Sequence, residues 1–205
     1  MEMNTKGMMA ELLGSMAITL LVWGGVASAE AAPHESAVMA GAAGITLAIM
    51  WMTFSGSEIL PIITIGNMAS GRTDWETGSL NFCMQVLGAL IAAGVLFWEG
   101  GSVDGSVWGG VESFGAEGAV MALLGGFLLM MVWDRLGGGW EAGAFAAVLI
   151  IAEITLSSAS NLGGMIVESD WTQDNFVNVF GTMIVGGIGA TAALMFGDEF
   201  LPEEE

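Results

Sequence analysis

Six apolar stretches separated by short polar ones run the length of the chain: Leu12 to Val26, Ala37 to Phe54, Leu80 to Trp98, Ala119 to Trp133, Gly143 to Leu156 and Phe176 to Phe196. Each is near the roughly 20 helical residues that cross a hydrocarbon core. A chain of 205 residues cannot surround six such helices with a polar shell. The pattern therefore predicts an all-α integral membrane protein, a single membrane domain over 1–205.

The two halves overlay at an offset of about 102 residues, which puts Ser55-Gly56-Ser57-Glu58-Ile59-Leu60-Pro61-Ile62 on Ser157-Ser158-Ala159-Ser160-Asn161-Leu162-Gly163-Gly164. Each stretch follows an apolar helix and leads into a segment too short to span, Pro61 to Ala69 and Gly163 to Val167. Nine helical residues rise about 13.5 Å, half the hydrocarbon thickness. These segments are expected to be re-entrant half-helices starting at Pro61 and Gly163, the alternative being interfacial loops. Pro suits a first turn because its missing N–H is not needed there. Three spans per copy make the second copy inverted, with halves at about 8–98 and 114–197 and an acidic tail at 198–205.

Composition agrees with a membrane span count: 54% of residues are hydrophobic and 12% charged, against about a quarter charged in soluble domains. Thirty-two Gly, many inside the apolar stretches, imply closely crossing helices. A net charge of -19 excludes nucleic acid as a partner and suits a high-salt habitat, where carboxylate repulsion is screened. The three basic residues, Lys6, Arg72 and Arg135, fall on one side of a six-span topology. By the positive-inside rule both termini are cytoplasmic, in the cell membrane. Val26-Ala27-Ser28-Ala29-Glu30-Ala31 resembles a signal-peptidase site, but Leu12 to Val26 is read as a retained first span. The lone Cys83 permits no internal disulfide.

The chain resembles the aquaporin and glycerol-facilitator family. Ser55-Gly56-Ser57-Glu58-Ile59-Leu60-Pro61-Ile62-Ile63-Thr64-Ile65-Gly66 is similar to the family stretch S-G-x-H-x-N-P-A-V-T-I-G. Ala10-Glu11-Leu12-Leu13-Gly14, Gln85-Val86-Leu87-Gly88-Ala89, Ala116-Glu117 and Val185-Gly186-Gly187-Ile188-Gly189-Ala190 follow in family order. The resemblance implies a right-handed bundle of six transmembrane helices plus two re-entrant half-helices, one pore per subunit and a homotetramer. It places the first N-P-A on Leu60-Pro61-Ile62 and the second on Leu162-Gly163-Gly164, so both mid-pore asparagines are leucine. The filter arginine falls on Met165, the filter histidine on Glu153 and the aromatic filter position near Ala43. Glu11 and Glu117 fall where family acids brace the half-helix loops by accepting backbone hydrogen bonds.

Passive passage of water or a small neutral solute is the leading expectation. A non-conducting scaffold, holding a membrane-protein partner through acidic loops such as 99–116, is the second, motivated by the missing asparagines and arginine. Alternating-access transport is a third. The chain has no nucleophile triad, no metal-ligand spacing and no phosphate-binding glycine loop, so neither an enzyme nor a cofactor is expected.

Overall fold

The computed structural model describes residues 5–23, 35–98 and 114–197, and over these the chain is all-helical. In order come α1 (Thr5–Ile18), continued by a π-helical turn (Thr19–Trp23), α2 (Glu35–Thr53), α3 (Pro61–Ala69), α4 (Trp75–Trp98), α5 (Ala116–Leu136), α6 (Trp140–Ile151), α7 (Ala159–Val167) and α8 (Gln173–Phe196). The acidic tail, most of the 99–116 loop and the small-residue site after the first span lie outside the described residues.

Many large apolar side chains face outward, and alanines fill many of the buried positions between the helices. Ile45, Ile49 and Met52 on α2, Leu87, Ile91 and Val95 on α4, and Ile184 and Ile188 on α8 are exposed. Ala40, Ala43 and Ala48, Ala89, Ala92 and Ala93, and Ala142, Ala146, Ala190 and Ala193 are buried. Lipid replaces water around such a surface. Among the described residues four helices are long and apolar enough to cross a membrane, with the shorter apolar helices Ala37–Thr53 and Trp140–Ile151 beside them. The chain is a multi-pass membrane protein.

Apart from the half-helices, three helix pairs among the described residues touch backbone to backbone through glycine. In α1 and α4 a Cβ on Gly88 would lie 2.2 Å from the Leu12 carbonyl oxygen. In α2 and α6 a Cβ on Gly44 would lie 2.4 Å from the Gly143 oxygen, and one on Gly143 would lie 2.4 Å from the Gly44 oxygen. In α5 and α8 a Cβ on Gly126 would lie 1.8 Å from the Gly186 oxygen, and one on Gly189 2.0 Å from the Leu123 oxygen. Gly126→Ala must push α5 and α8 apart. It is expected to cost about 1–3 kcal/mol of overpacking, read as a lower Tm in detergent, whereas Gly94→Ala, with open space at its Cβ position, should leave Tm unchanged.

The half-helices are packed crosswise. On α3, Gly66 meets Ala190 of α8 and Ile62 meets Gly186; on α7, Gly163 meets the Ala89 backbone of α4. Each short helix thus rests on the last long helix of the other half. All three basic residues sit at one end of the bundle: Arg72 pairs with Asp134, next to Arg135, while Lys6 lines a cavity with Thr73.

Two expectations are corrected. The fifth span does not run to Leu156, because α6 stops at Ile151, Ala152 caps it, and Glu153 turns to a φ of 60°. Twelve residues rise about 18 Å, short of a full crossing. The second half-helix starts at Ala159, four residues before Gly163. Ser158 is its N-cap, the role serine fills well, and Gly163 instead allows the middle of α7 to contact α4.

Candidate pore

Backbone that leaves a helix at membrane depth must find hydrogen-bond partners in the protein. The loop leading into α3 does so through Glu11, which is 2% exposed. The Glu58 N–H donates to its Oε1 and the Ile59 N–H to its Oε2, both at 2.6 Å. Gln85 Nε2 on α4 donates to Glu11 Oε2 at 2.7 Å and to Thr64 Oγ1 on α3 at 2.8 Å. One carboxylate therefore links α1, the loop, α4 and, through Gln85, α3. Ile59 takes a φ of 64°, a left-handed conformation costly for a β-branched residue, and the bidentate carboxylate helps to hold it. Trp51 Nε1 donates to the Glu58 carbonyl at 3.2 Å. Leu60 then caps α3 without a side-chain hydrogen bond and is fully buried.

The loop into α7 is held differently. Helix α5 approaches it directly, for a Cβ on Gly125 would lie 2.1 Å from the Thr155 carbonyl oxygen. Matching the contact of Gly88 with Leu12 to that of Gly189 with Leu123 aligns Glu11 with Ala122, which is 1% exposed. Hydroxyls take over at the helix start. The Ser160 N–H donates to Ser158 Oγ at 3.2 Å, and Ser160 Oγ and Thr19 Oγ1 share a hydrogen bond of 2.8 Å. Thr19 Oγ1 also donates to the Ser15 carbonyl at 2.9 Å. Ser157, Ser158 and Ser160 are all at most 2% exposed. The two buried helix starts therefore differ: Leu60-Pro61-Ile62 is wholly apolar, and Ser158-Ala159-Ser160 carries two hydroxyls. Removing the α7 cap by Ser158→Ala should cost about 1 kcal/mol, seen as a lower Tm in detergent.

The sequence profile described as "Major intrinsic protein" matches residues 2–134. The chain belongs to the major intrinsic protein family. Aquaporin A of Dictyostelium discoideum is 29% identical over 99 residues, 45% of this chain and 36% of that protein. The aligned stretch thus spans about a third of the length of that relative. The X-ray structure of the aquaglyceroporin from Plasmodium falciparum superposes with a TM-score of 0.71 over 96% of both chains at 15% identity, which establishes a shared fold.

Against this family member's geometry, several site expectations need correction. Glu117 is exposed in the first turn of α5; in the contact match above it falls opposite Lys6, one turn too far out to brace a loop. Glu153 is exposed beyond the end of α6, its N–H bonded to the Ile150 carbonyl at 3.0 Å, so it is not an acid buried in a helix. Leu162 lies one turn inside α7 and packs with Met165, Val179 and Met183. Leu60 belongs to a different apolar cluster, with Leu47, Leu129 and Leu149, and the residue that caps α7 as Leu60 caps α3 is Ser158 rather than Leu162. Met165 is taken up by the same packing as Leu162, and Gly164 is buried within α7. Ala43 is fully buried in the Leu60 cluster, and Pro61 and Ile62 lie in the first turn of α3. Ser158, Ser160 and Thr19 were missed. A Ser-x-Ser sequence entering an apolar helix was the available signal, since serine is among the best N-caps.

Proposed function

We infer that this protein is a passive pore for water or a small neutral solute, narrowed by an apolar wall at its midpoint. One observation carries it: two half-helices start at buried positions, one capped by Leu60 and the other by Ser158. Buried helix starts aim partial positive charge and N–H groups at the space before them, where water or a polyol oxygen can accept. On this reading the second N-P-A position is Ser158-Ala159-Ser160, and the residue after it is Asn161 rather than Met165. The names of the relatives, an aquaporin and an aquaglyceroporin, support the same solute class. The order of α1 to α4, repeated in α5 to α8, supports an inverted repeat. A homotetramer in the cell membrane, with the basic end and both termini cytoplasmic, completes the proposal.

A second reading has its own observation. Leu47, Trp51, Leu60, Leu129 and Leu149 form one continuous buried cluster, the packing expected of a sealed scaffold. Stopped-flow light scattering on proteoliposomes separates the two. Shrinkage in a sucrose gradient faster than that of protein-free vesicles supports the pore, with glycerol and urea gradients then defining the solute; rates equal to those of empty vesicles leave the scaffold.

A further inference from the structure

At the basic end of the bundle, a cavity of about 550 Å³ lies between the first turns of α1, the 53–58 loop and the start of α4. Three charged residues line it: Glu11, Glu58 and Lys6. Glu58 is 4% exposed, and every side-chain donor it receives from the described residues is neutral. Asn67 Nδ2 reaches Oε1 at 2.7 Å, Thr73 Oγ1 the same oxygen at 3.5 Å, and Asn81 Nδ2 reaches Oε2 at 3.4 Å. Glu11 is likewise bonded only to amide groups. Buried carboxylates without a cation are costly.

Ser57 supplies an independent sign of a missing ligand. It is 5% exposed, lines the same cavity, and its Oγ has no hydrogen-bond partner among the described residues. Buried hydroxyls nearly always have one. The available ligands are all oxygens, which suit hard cations. Among the described residues no three His, Cys, Asp or Glu side chains converge, so the site lacks the carboxylate count of a divalent centre. Lys6 is exposed at the rim and makes no ion pair with either carboxylate among the described residues. A monovalent cation beside Glu58 would supply the charge that its neutral donors lack.

We propose that this cavity binds a single alkali cation through the Glu58 carboxylate and the Ser57 hydroxyl, with water completing its shell. Because Ser57 and Glu58 belong to the loop entering α3, the bound ion stiffens that loop. The proposal does not depend on whether the protein conducts.

The test uses the purified full-length chain in detergent, with radioactive sodium and rubidium in equilibrium dialysis. Tm is measured in parallel in sodium, potassium and N-methylglucamine chlorides at equal ionic strength. Saturable binding near one ion per chain is expected, with a higher Tm in the alkali salts. Glu58→Gln should abolish binding, and Ser57→Ala, which leaves the hydrogen bonds of Glu58 to Asn67, Thr73 and Asn81 in place, should weaken it several-fold. Should Glu58→Gln fail to fold, Ser57→Ala carries the test. Absence of saturable binding, an unaltered affinity in Ser57→Ala, equal Tm in all three salts, or displacement by calcium at far lower concentration than by sodium would each overturn the proposal.

Discussion

Glu11→Gln is expected to lower the stability of the detergent-solubilised protein by on the order of 3 kcal/mol, while Glu117→Gln stays within about 0.5 kcal/mol of the parent. The carboxylate accepts from two backbone N–H groups and from Gln85. An amide keeps one acceptor oxygen and turns an NH₂ towards a backbone donor, so at least one buried N–H is left unpaired beside like dipoles. Glu117 is exposed, so water solvates either side chain at that position. Thermal melts of the two variants decide the matter, and equal Tm values would remove Glu11 from its bracing role. Gln85→Leu should fall between them, since it deletes one of the three bonds to Glu11 and the one to Thr64.

Leu60→Asn is expected to raise osmotic water permeability per protein about tenfold, the change that about 1.4 kcal/mol off a barrier produces. Water passing a fully buried leucine gives up a hydrogen bond and receives none from that wall, a loss of about 1–3 kcal/mol. On the proposed reading the start of the second half-helix supplies Ser158. Leu162→Asn serves as the control: it sits among Met165, Val179 and Met183, so it should lower Tm without speeding water. Stopped-flow rates normalised to reconstituted protein read both. A sealed scaffold would gain nothing from asparagine at position 60, and a gain from position 162 alone would return the midpoint to Leu162.

The first half was legible because its signals are local. Proline can open a helix but not continue one, so Pro61 marked the start of α3, and the spacing of Glu11 from its helix start matched a family pattern. In the second half, α7 starts at Ala159, four residues before the expected Gly163. A shift of four residues keeps the same apolar face inward, so periodicity could not choose between Ala159 and Gly163. Glycine pairs also suggest breaks in helices, yet Gly163 is helical because α7 needs a flat face against Ala89. The end of α6 was invisible for a related reason. Ile151-Ala152-Glu153-Ile154 has nothing that forbids a helix; the stop follows from the approach of α5 to the Thr155 carbonyl, a contact with a distant part of the chain. Glu117 misled because acids are common in any first helical turn, and only the packing of Gly189 against Leu123 shows that Ala122 occupies the bracing position.

The crosswise seating of the half-helices bears on how the molecule is made. While a ribosome still holds the second half, α3 has Glu11 and Gln85 for its loop but no floor, since Gly66 and Ile62 await Ala190 and Gly186 of the last helix. A short helix with its face uncovered cannot settle in lipid. Insertion must therefore leave α3 provisional until translation ends, and a chain truncated before α8 should be a substrate for membrane quality control even though every residue of its first half is present.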